Sequence, residues 1–255
     1  MSTFNRFLQE DIVVSTDKVV TNAWSNNANK LETFFTSSNQ NSYASSTSQA
    51  NFFLEIYKDD VNLTSSAEVQ FTVSYGHRLG SGSVDFTNVG TAVGFSATRC
   101  IYNQYRQLVF GDENTNFSFN DFTPRDIHVI NVARSRYKHN LKPGTLNLKL
   151  IGNNTLHLTD DSVTKTGSAV ITNVGRQFNI VSGSGGQMSG SSVSQVNQSA
   201  SYGLFYPDSG FIILNGDAIS HSVGVTPTLT DNATPDGPQL LYNAISGAGD
   251  FILDS

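Results

Sequence analysis

A β-hairpin is encoded most plainly in residues 203–214, which read GLFYPDSGFIIL. Two mainly apolar runs flank the segment Pro207–Gly210. Proline presets the φ angle that the second position of a turn needs, and glycine accepts the positive φ at its exit. The stretch therefore predicts two antiparallel strands joined by a tight turn.

A second hairpin is predicted a little earlier in the chain. Leu146, Leu148 and Leu150 alternate with polar residues, which places the three leucines on one face of a strand. Glycine and asparagine at 152–154 supply turn chemistry, and residues 156–159 alternate again. Two hairpins of this kind indicate an antiparallel sheet.

Three more segments are predicted as strands. Residues 69–75, VQFTVSY, alternate strictly, whereas 127–132, IHVINV, are mostly apolar and are typical of an inner strand. Residues 51–58, NFFLEIYK, end at the turn signal Asp59-Asp60. The expected fold class is mainly β, an antiparallel β-sandwich-like structure with one or two short helices.

Helices are expected at two places. The better candidate spans 97–109, with Ser96 as N-cap and Gly111 just past the end. Its predicted apolar face consists of Ala97, Ile101, Tyr105 and Leu108. A weaker candidate spans 17–35, where asparagines favour a short or broken helix.

Composition changes after Asp160, where polar loops lengthen and charges become fewer. We therefore expect a soft domain boundary, with an N-terminal β-rich domain at 1–160 that holds the helix near 97–109. A C-terminal β domain would follow at 161–255. The segment 182–192, SGSGGQMSGSS, has linker composition and could be a loop within one domain or a joint between two.

The chain carries few charges for its length. Only 14% of its 255 residues are charged, against roughly 25% in ordinary soluble domains, and the net charge is −6. Serine, threonine and asparagine take the place of the charged residues, which suits a loop-rich β protein or a surface that contacts other subunits. One cysteine, Cys100, excludes an internal disulfide and a multi-cysteine metal site.

Targeting signals are not apparent in the sequence. No apolar run approaches the roughly 18 residues that span a bilayer. The first residues, MSTFNR, lack the apolar core of a secretory signal. We expect a protein that matures in the cytosol, with no membrane partner, and whose final location is elsewhere if it is built into a particle.

Charge is unevenly distributed along the chain. A basic loop at 134–142 follows a predicted strand, whereas no lysine or arginine occurs after Arg176. The basic loop and the acidic end could attract each other within one subunit or between neighbours, or both could be solvated faces. Because the protein is acidic overall, binding to free nucleic acid is not expected. The candidate subunit contacts are Arg134, Arg136, Lys138, Lys142, Asp231 and Asp236.

Catalytic and metal-binding motifs are not recognisable. The sequence contains no nucleophile elbow, phosphate loop or dinucleotide fingerprint, and its five histidines are scattered. Asp112, Asn114 and Asn116 have the spacing of a calcium loop, but Phe117 stands where the tight turn needs glycine. We therefore expect no enzyme, no cofactor, and no catalytic or metal-binding residue.

Several strings in a fixed order resemble a known class of protein. They lie at 4–7 (FNRF), 10–17 (EDIVVSTD), 24 (W), 34–38 (FFTSS), 101–108 (IYNQYRQL), 136–138 (RYK), 143–144 (PG) and 202–210 (YGLFYPDSG). In this order they resemble virion structural proteins of marine T4-like tailed phages, especially those that infect cyanobacteria. The resemblance runs from the N-terminus to about residue 245.

The resemblance implies a tail or baseplate component present in several copies. Its partners would be other virion proteins and further copies of itself, and it would be made in the host cytoplasm and located in the virion. Two alternatives remain open: a carbohydrate-binding adhesion module that recognises a host-surface glycan, and a structural protein of the neck or head. A glycan-degrading enzyme ranks last, because no paired acid motif can be assigned.

Overall fold

A computed structural model describes residues 19–36, 53–83, 96–120, 122–164, 169–189, 201–229 and 236–255. Within these ranges the protein is mainly β, as predicted, with twelve strands and three α-helices. The strands are β1 (Lys30–Leu31), β2 (Phe53–Tyr57), β3 (Val69–His77), β4 (Asp126–Val132), β5 (Asn147–Ile151), β6 (Thr155–Asp160), β7 (Val170–Thr172), β8 (Gly175–Ser184), β9 (Gln187–Met188), β10 (Gly203–Tyr206), β11 (Phe211–Asn215) and β12 (Phe251–Ile252). The helices are α1 (Ala97–Phe110), α2 (Gly216–Val223) and α3 (Gly237–Ala248).

The strands form one antiparallel sheet that curls into a half-barrel rather than a strict sandwich. The order is β1-β12-β5-β6-β8-β10-β11-β4-β3-β2, and β7 and β9 pair with β8. Phe71 of β3 and Phe251 of β12 lie near opposite edges of this order, yet their ring centroids are 5.3 Å apart. Trp24 packs on both rings, and Phe35 pairs with Tyr57 of β2. Twist and this aromatic contact therefore bring the two edges of the sheet together.

Both predicted hairpins are confirmed. Leu204 pairs with Ile213 in the β10–β11 hairpin, whose turn ends at Gly210 with a φ of 74°. Leu148 pairs with Leu158 in the β5–β6 hairpin. The strands predicted at 69–75 and 127–132 are also confirmed as β3 and β4, and β2 covers the described part of the strand predicted at 51–58.

Strand β4 is buried on both faces because helix α1 covers the outer side of the sheet. Ile130 and Val132 face the main core inside the curl. Ile127 and Val129 belong to a second cluster with Tyr102 of α1. Two-sided burial explains why this strand is mostly apolar instead of alternating.

Helix α1 lies where the sequence predicted it and ends at Gly111, whose φ of 68° is left-handed. The predicted apolar face is only partly right. Leu108 is exposed, and the deepest side chains are Thr98, Tyr102 and Val109. A Cβ on Gly76 of β3 would lie 2.9 Å from the backbone nitrogen of Tyr102, so the glycine lets α1 approach the sheet closely at this face.

The weaker helix prediction at 17–35 is wrong for the described residues. A single 3₁₀ turn at Ser25–Asn27 and strand β1 occupy this region. Asn26 and Asn27 have φ angles of 60° and 53°, which interrupt a right-handed helix. Two helices that were not predicted, α2 and α3, lie later in the chain.

The predicted boundary at 160/161 crosses a continuous sheet. Asp160 of β6 pairs with Ile180 of β8, and β12 lies between β1 and β5. The main core contains Leu54 and Phe71 together with Phe205 and Leu241. The two predicted segments therefore share one sheet and one main core. None of the described helices is long and apolar enough to cross a membrane.

Candidate functional site

The basic loop at 134–142 is held by its own arginine. Arg134 lies in a 3₁₀ turn directly after β4. Its guanidinium donates hydrogen bonds to the carbonyl oxygens of Tyr137 and Lys138, and lies over the Tyr137 ring at 4.6 Å. A planar group with several donors suits this double role. Arg134 thus fixes the shape of the basic loop.

Tyr137 fastens the basic loop to the turn of the β10–β11 hairpin. Its ring is buried, and its hydroxyl donates to the carbonyl oxygen of Ser209 at 3.0 Å. The ring packs so closely on Gly210 that a Cβ there would lie 2.3 Å from the tyrosine oxygen. The backbone nitrogen of Leu141 donates to Pro207 at 2.9 Å. These contacts make the basic loop a firm extension of the sheet.

The remaining charges of the basic loop differ in how they are held. Arg136 pairs with Glu68 at 2.7 Å, and its side chain is only 11% exposed. Lys138 is exposed, whereas Lys142 is half-buried and its backbone nitrogen donates to Asp254. Lys138 is therefore the loop cation best placed to meet another molecule.

Of the acidic candidates, Asp236 lies away from the basic loop. Asp236 accepts hydrogen bonds from the backbone nitrogen and hydroxyl of Thr228, at 2.9 and 2.7 Å. The next residue, Gly237, lies against the ring of Tyr75, which pairs with His128 near the start of β4. Asp231 lies outside the described residues.

Strand β4 separates Asp236 from the basic loop. Seven residues span roughly 20 Å at about 3.3 Å each. The basic loop follows the end of β4, and Asp236 lies near its beginning, so the two cannot form an ion pair within one subunit. Elsewhere in the acidic end, Asp208 accepts a hydrogen bond from Asn140 at 3.4 Å, and the carbonyl oxygen of Asp254 accepts one from the Lys142 nitrogen. Attraction within one subunit therefore stays open for these aspartates, beside attraction between neighbouring subunits and plain solvation.

A cleft that the sequence did not predict opens at the beginning of β4. We call it the β4 cleft, and its volume is about 490 Å³. Its lining includes His77, Leu79, Arg125, Asp126, Asp217 and Leu229. Clefts with apolar walls and a few converging polar groups are typical of ligand sites, and the mouth of a curled sheet is a common place for them.

Asp126 is the most deeply placed carboxylate of the β4 cleft. It is 9% exposed and accepts a hydrogen bond from the hydroxyl of Tyr75 at 3.2 Å. A Cβ on Gly216 would lie 2.4 Å from this carboxylate, so only glycine leaves room for it. Burial, with the negative charge of Asp217, raises the pKa of Asp126 to about 6.

His77 is held in its neutral form beside Asp126. Its Nδ1 accepts hydrogen bonds from the backbone nitrogens of Leu79 and Ser81, each at 3.1 Å. Burial lowers the pKa of His77 to about 4, and the positive charges of Arg125 and Arg78 act in the same direction. Because Nδ1 accepts, the proton of the neutral ring is on Nε2, which is a donor.

His128 lies on the same face of the sheet, beneath the β4 cleft. Its ring is fully buried and contacts Tyr75, with centroids 5.0 Å apart. Neither ring nitrogen has a hydrogen-bond partner among the described residues. Burial lowers the pKa of His128 to about 3, so the ring is neutral at ordinary pH.

The calcium-like segment forms a polar turn. Asp112 accepts hydrogen bonds from the backbone nitrogens of Asn114 and Thr115 and from the Thr115 hydroxyl, at 2.5 to 3.0 Å. These bonds lower the pKa of Asp112. Within the described residues no three His, Cys, Asp or Glu side chains are grouped as metal ligands.

The sequence did not predict the β4 cleft because the residues that form it are far apart in the chain. Tyr75 and Asp126 are separated by 51 positions. Pairing of Asn215 with Ile127 brings the start of α2, and with it Asp217, next to Asp126. The one local signal was polar residues at strand ends, namely Asp126 as the first residue of β4 and Asp217 shortly after β11. That signal also marks many ordinary turns.

Comparison with known proteins identifies no family. The chain matches no protein-family model, no curated protein and no solved structure. Function is therefore inferred from the geometry of the basic loop and the β4 cleft, together with the resemblance of the sequence strings.

Proposed function

We propose that the protein is a structural subunit of a tailed-phage virion, placed in the tail or baseplate. It acts through contacts with other virion proteins and with further copies of itself, and catalyses no reaction. The observation that carries this proposal is the rigid basic loop. Arg134 and Tyr137 fasten it to the body, while Lys138 is exposed.

Rigidity matters because ordering a loop on binding consumes free energy. Each mobile side chain that must be fixed costs about 0.5–1.5 kcal/mol. In the basic loop this ordering has already occurred through contacts within the subunit. A preformed surface that presents Lys138 favours partner choice and register, while apolar burial elsewhere supplies most of the assembly energy.

Low charge density also supports a subunit that is surrounded by neighbours. Only 14% of the residues are charged, and serine, threonine and asparagine supply most of the other polar side chains. Such a surface allows close approach of identical copies with little repulsion. This composition by itself also suits an isolated loop-rich protein, so the basic loop carries more weight.

Immunogold electron microscopy of purified particles tests the proposal. Antibody raised against the protein should label the distal end of the tail, and antibody absorbed with the purified protein should not label. Label at the neck or head would keep the structural role and overturn the tail assignment. Particles without label, in a preparation where a known tail protein is labelled, would contradict the virion role.

A further inference from the structure

The β4 cleft combines hydrogen-bond donors and acceptors of opposite charge. Asp126 and Asp217 offer carboxylate oxygens, and Arg125 offers a guanidinium. His77 adds a neutral ring with its proton on Nε2. A cationic ligand would be opposed by Arg125, and an anionic ligand by the two carboxylates. Because charges of both signs line the cleft, the lining suits a ligand that is neutral and both donates and accepts.

Apolar side chains complete the lining. Leu79 is 52% exposed and Leu229 is 45% exposed, and both border the β4 cleft. Exposed leucines beside fixed polar groups suit a ligand with C–H faces as well as hydroxyl groups. Water or a small ion would leave these apolar surfaces uncovered.

The polar groups are held in place without a ligand. Tyr75 and the close approach of Gly216 fix the Asp126 carboxylate. Two backbone N–H groups fix the His77 ring. Because these side chains are already ordered, binding would not have to restrict them further.

We propose that the β4 cleft binds a neutral polyhydroxylated ligand, a sugar residue of a glycan. Asp126 and Asp217 accept hydrogen bonds from its hydroxyl groups, Arg125 and His77 donate to its oxygens, and Leu79 and Leu229 contact its C–H face. The site is independent of the basic loop, so it does not depend on the virion assignment.

Nuclear magnetic resonance titration with neutral hexoses tests this site. Glucose, galactose, mannose and N-acetylglucosamine are added at millimolar concentrations to the isotope-labelled full chain. At least one should cause saturable shifts at His77, Leu79 and Asp126. Asp217→Asn should weaken that binding roughly fivefold or more, because an exposed charged acceptor is lost. Asp112→Asn, in the exposed polar turn, is the matched control and should bind like the parent.

Other probes decide between ligand classes. Ethylammonium, inorganic phosphate and glycerol should all bind more weakly than the best hexose. Tighter binding of ethylammonium or phosphate would overturn the neutral-ligand assignment, and equal binding of glycerol would overturn the sugar assignment. The absence of saturable shifts with every hexose, or equal weakening by Asp217→Asn and Asp112→Asn, would also overturn the proposal.

Discussion

The two ends of strand β4 hold polar side chains in opposite ways. At its beginning, Asp126 and His77 are buried, and both have strongly shifted pKa values. Beyond its end, Arg134 is exposed, but its guanidinium donates two hydrogen bonds to carbonyl oxygens three and four residues away. The basic loop, which has the higher charge density in the sequence, therefore uses its arginines to bind groups of its own subunit.

A high density of charged residues in the sequence therefore does not mean that those charges are free to bind a partner. A cation in a short loop finds backbone acceptors nearby, because turns leave carbonyl oxygens unpaired. A carboxylate at the mouth of a curled sheet meets groups from distant strands and loses water, which shifts its pKa. Four measurements test this contrast.

The largest expected effect on stability is that of replacing Gly210, the glycine against which the basic loop packs. Gly210→Ala places a Cβ against the Tyr137 ring at a φ of 74°, so both packing and backbone are strained. We expect a loss of about 3 kcal/mol in the free energy of unfolding. Urea unfolding measures it, with Gly247→Ala as control, because only a methyl of the exposed Ile151 side chain is close there. A loss below about 1 kcal/mol would show that the basic loop is not held as described.

The second measurement concerns acid stability at the opposite end. The folded-state pKa values of His77 and His128 lie below 6.5, so their contribution to stability is full above 6.5 and is lost as pH falls toward 4. Asp126 acts oppositely, since its raised pKa favours the folded state at low pH and this gain is lost as pH rises through about 6. Two histidines outweigh one aspartate, and the net effect of acidification is destabilising.

His128→Phe isolates the part of this pH dependence that comes from the fully buried histidine. At about pH 5 the buried His128 should lower the free energy of unfolding by about 2 kcal/mol relative to neutral pH. The reason is that the histidine is protonated in the unfolded state but stays neutral in the folded state. The variant should lose that part of the pH slope in urea unfolding curves recorded from about pH 7.5 to 5. A slope equal to that of the parent would exclude His128 as its source, whatever the absolute stability.

A smaller effect is expected for the ion pair of the basic loop. Arg136 is 11% exposed and Glu68 is 58% exposed, so solvent screens the pair from one side. A double-mutant cycle of Arg136→Gln and Glu68→Gln should give a coupling of about 0.5–1 kcal/mol. Zero coupling would mean that Glu68 does not hold Arg136, which would then be free to contact a neighbouring subunit.

The smallest effect on stability is expected for Lys138→Glu, since this side chain is exposed. Its free energy of unfolding should change by less than about 0.5 kcal/mol. Incorporation into particles should nevertheless fall if the basic loop contacts a neighbour, as measured by quantitative immunoblotting of purified particles. Lys149→Glu, a reversal of the same charge on β5, is the control and should be incorporated normally. Equal incorporation of both variants would remove Lys138 from the contact surface.

Local signals in the sequence predicted much of the fold and little of the site. Turn chemistry at 207–210 and 152–154 located both hairpins, and Gly111 located the end of α1. The helix α2 was missed because eight residues carry little helical signal; it begins directly after β11, with Asn215 accepting from the Ala218 nitrogen. Its first turn brings Asp217 to the β4 cleft.

Local patterns in the sequence specify the antiparallel strands, their turns and helix α1, because each depends on residues within a few positions of one another. Long-range packing sets the curl, in which Phe71 and Phe251 meet across 180 positions, and the contact of Tyr75 with Asp126. It also decided that Arg136 would be paired and Lys138 exposed. Such contacts follow from strand order and sheet twist, which no short stretch of sequence specifies.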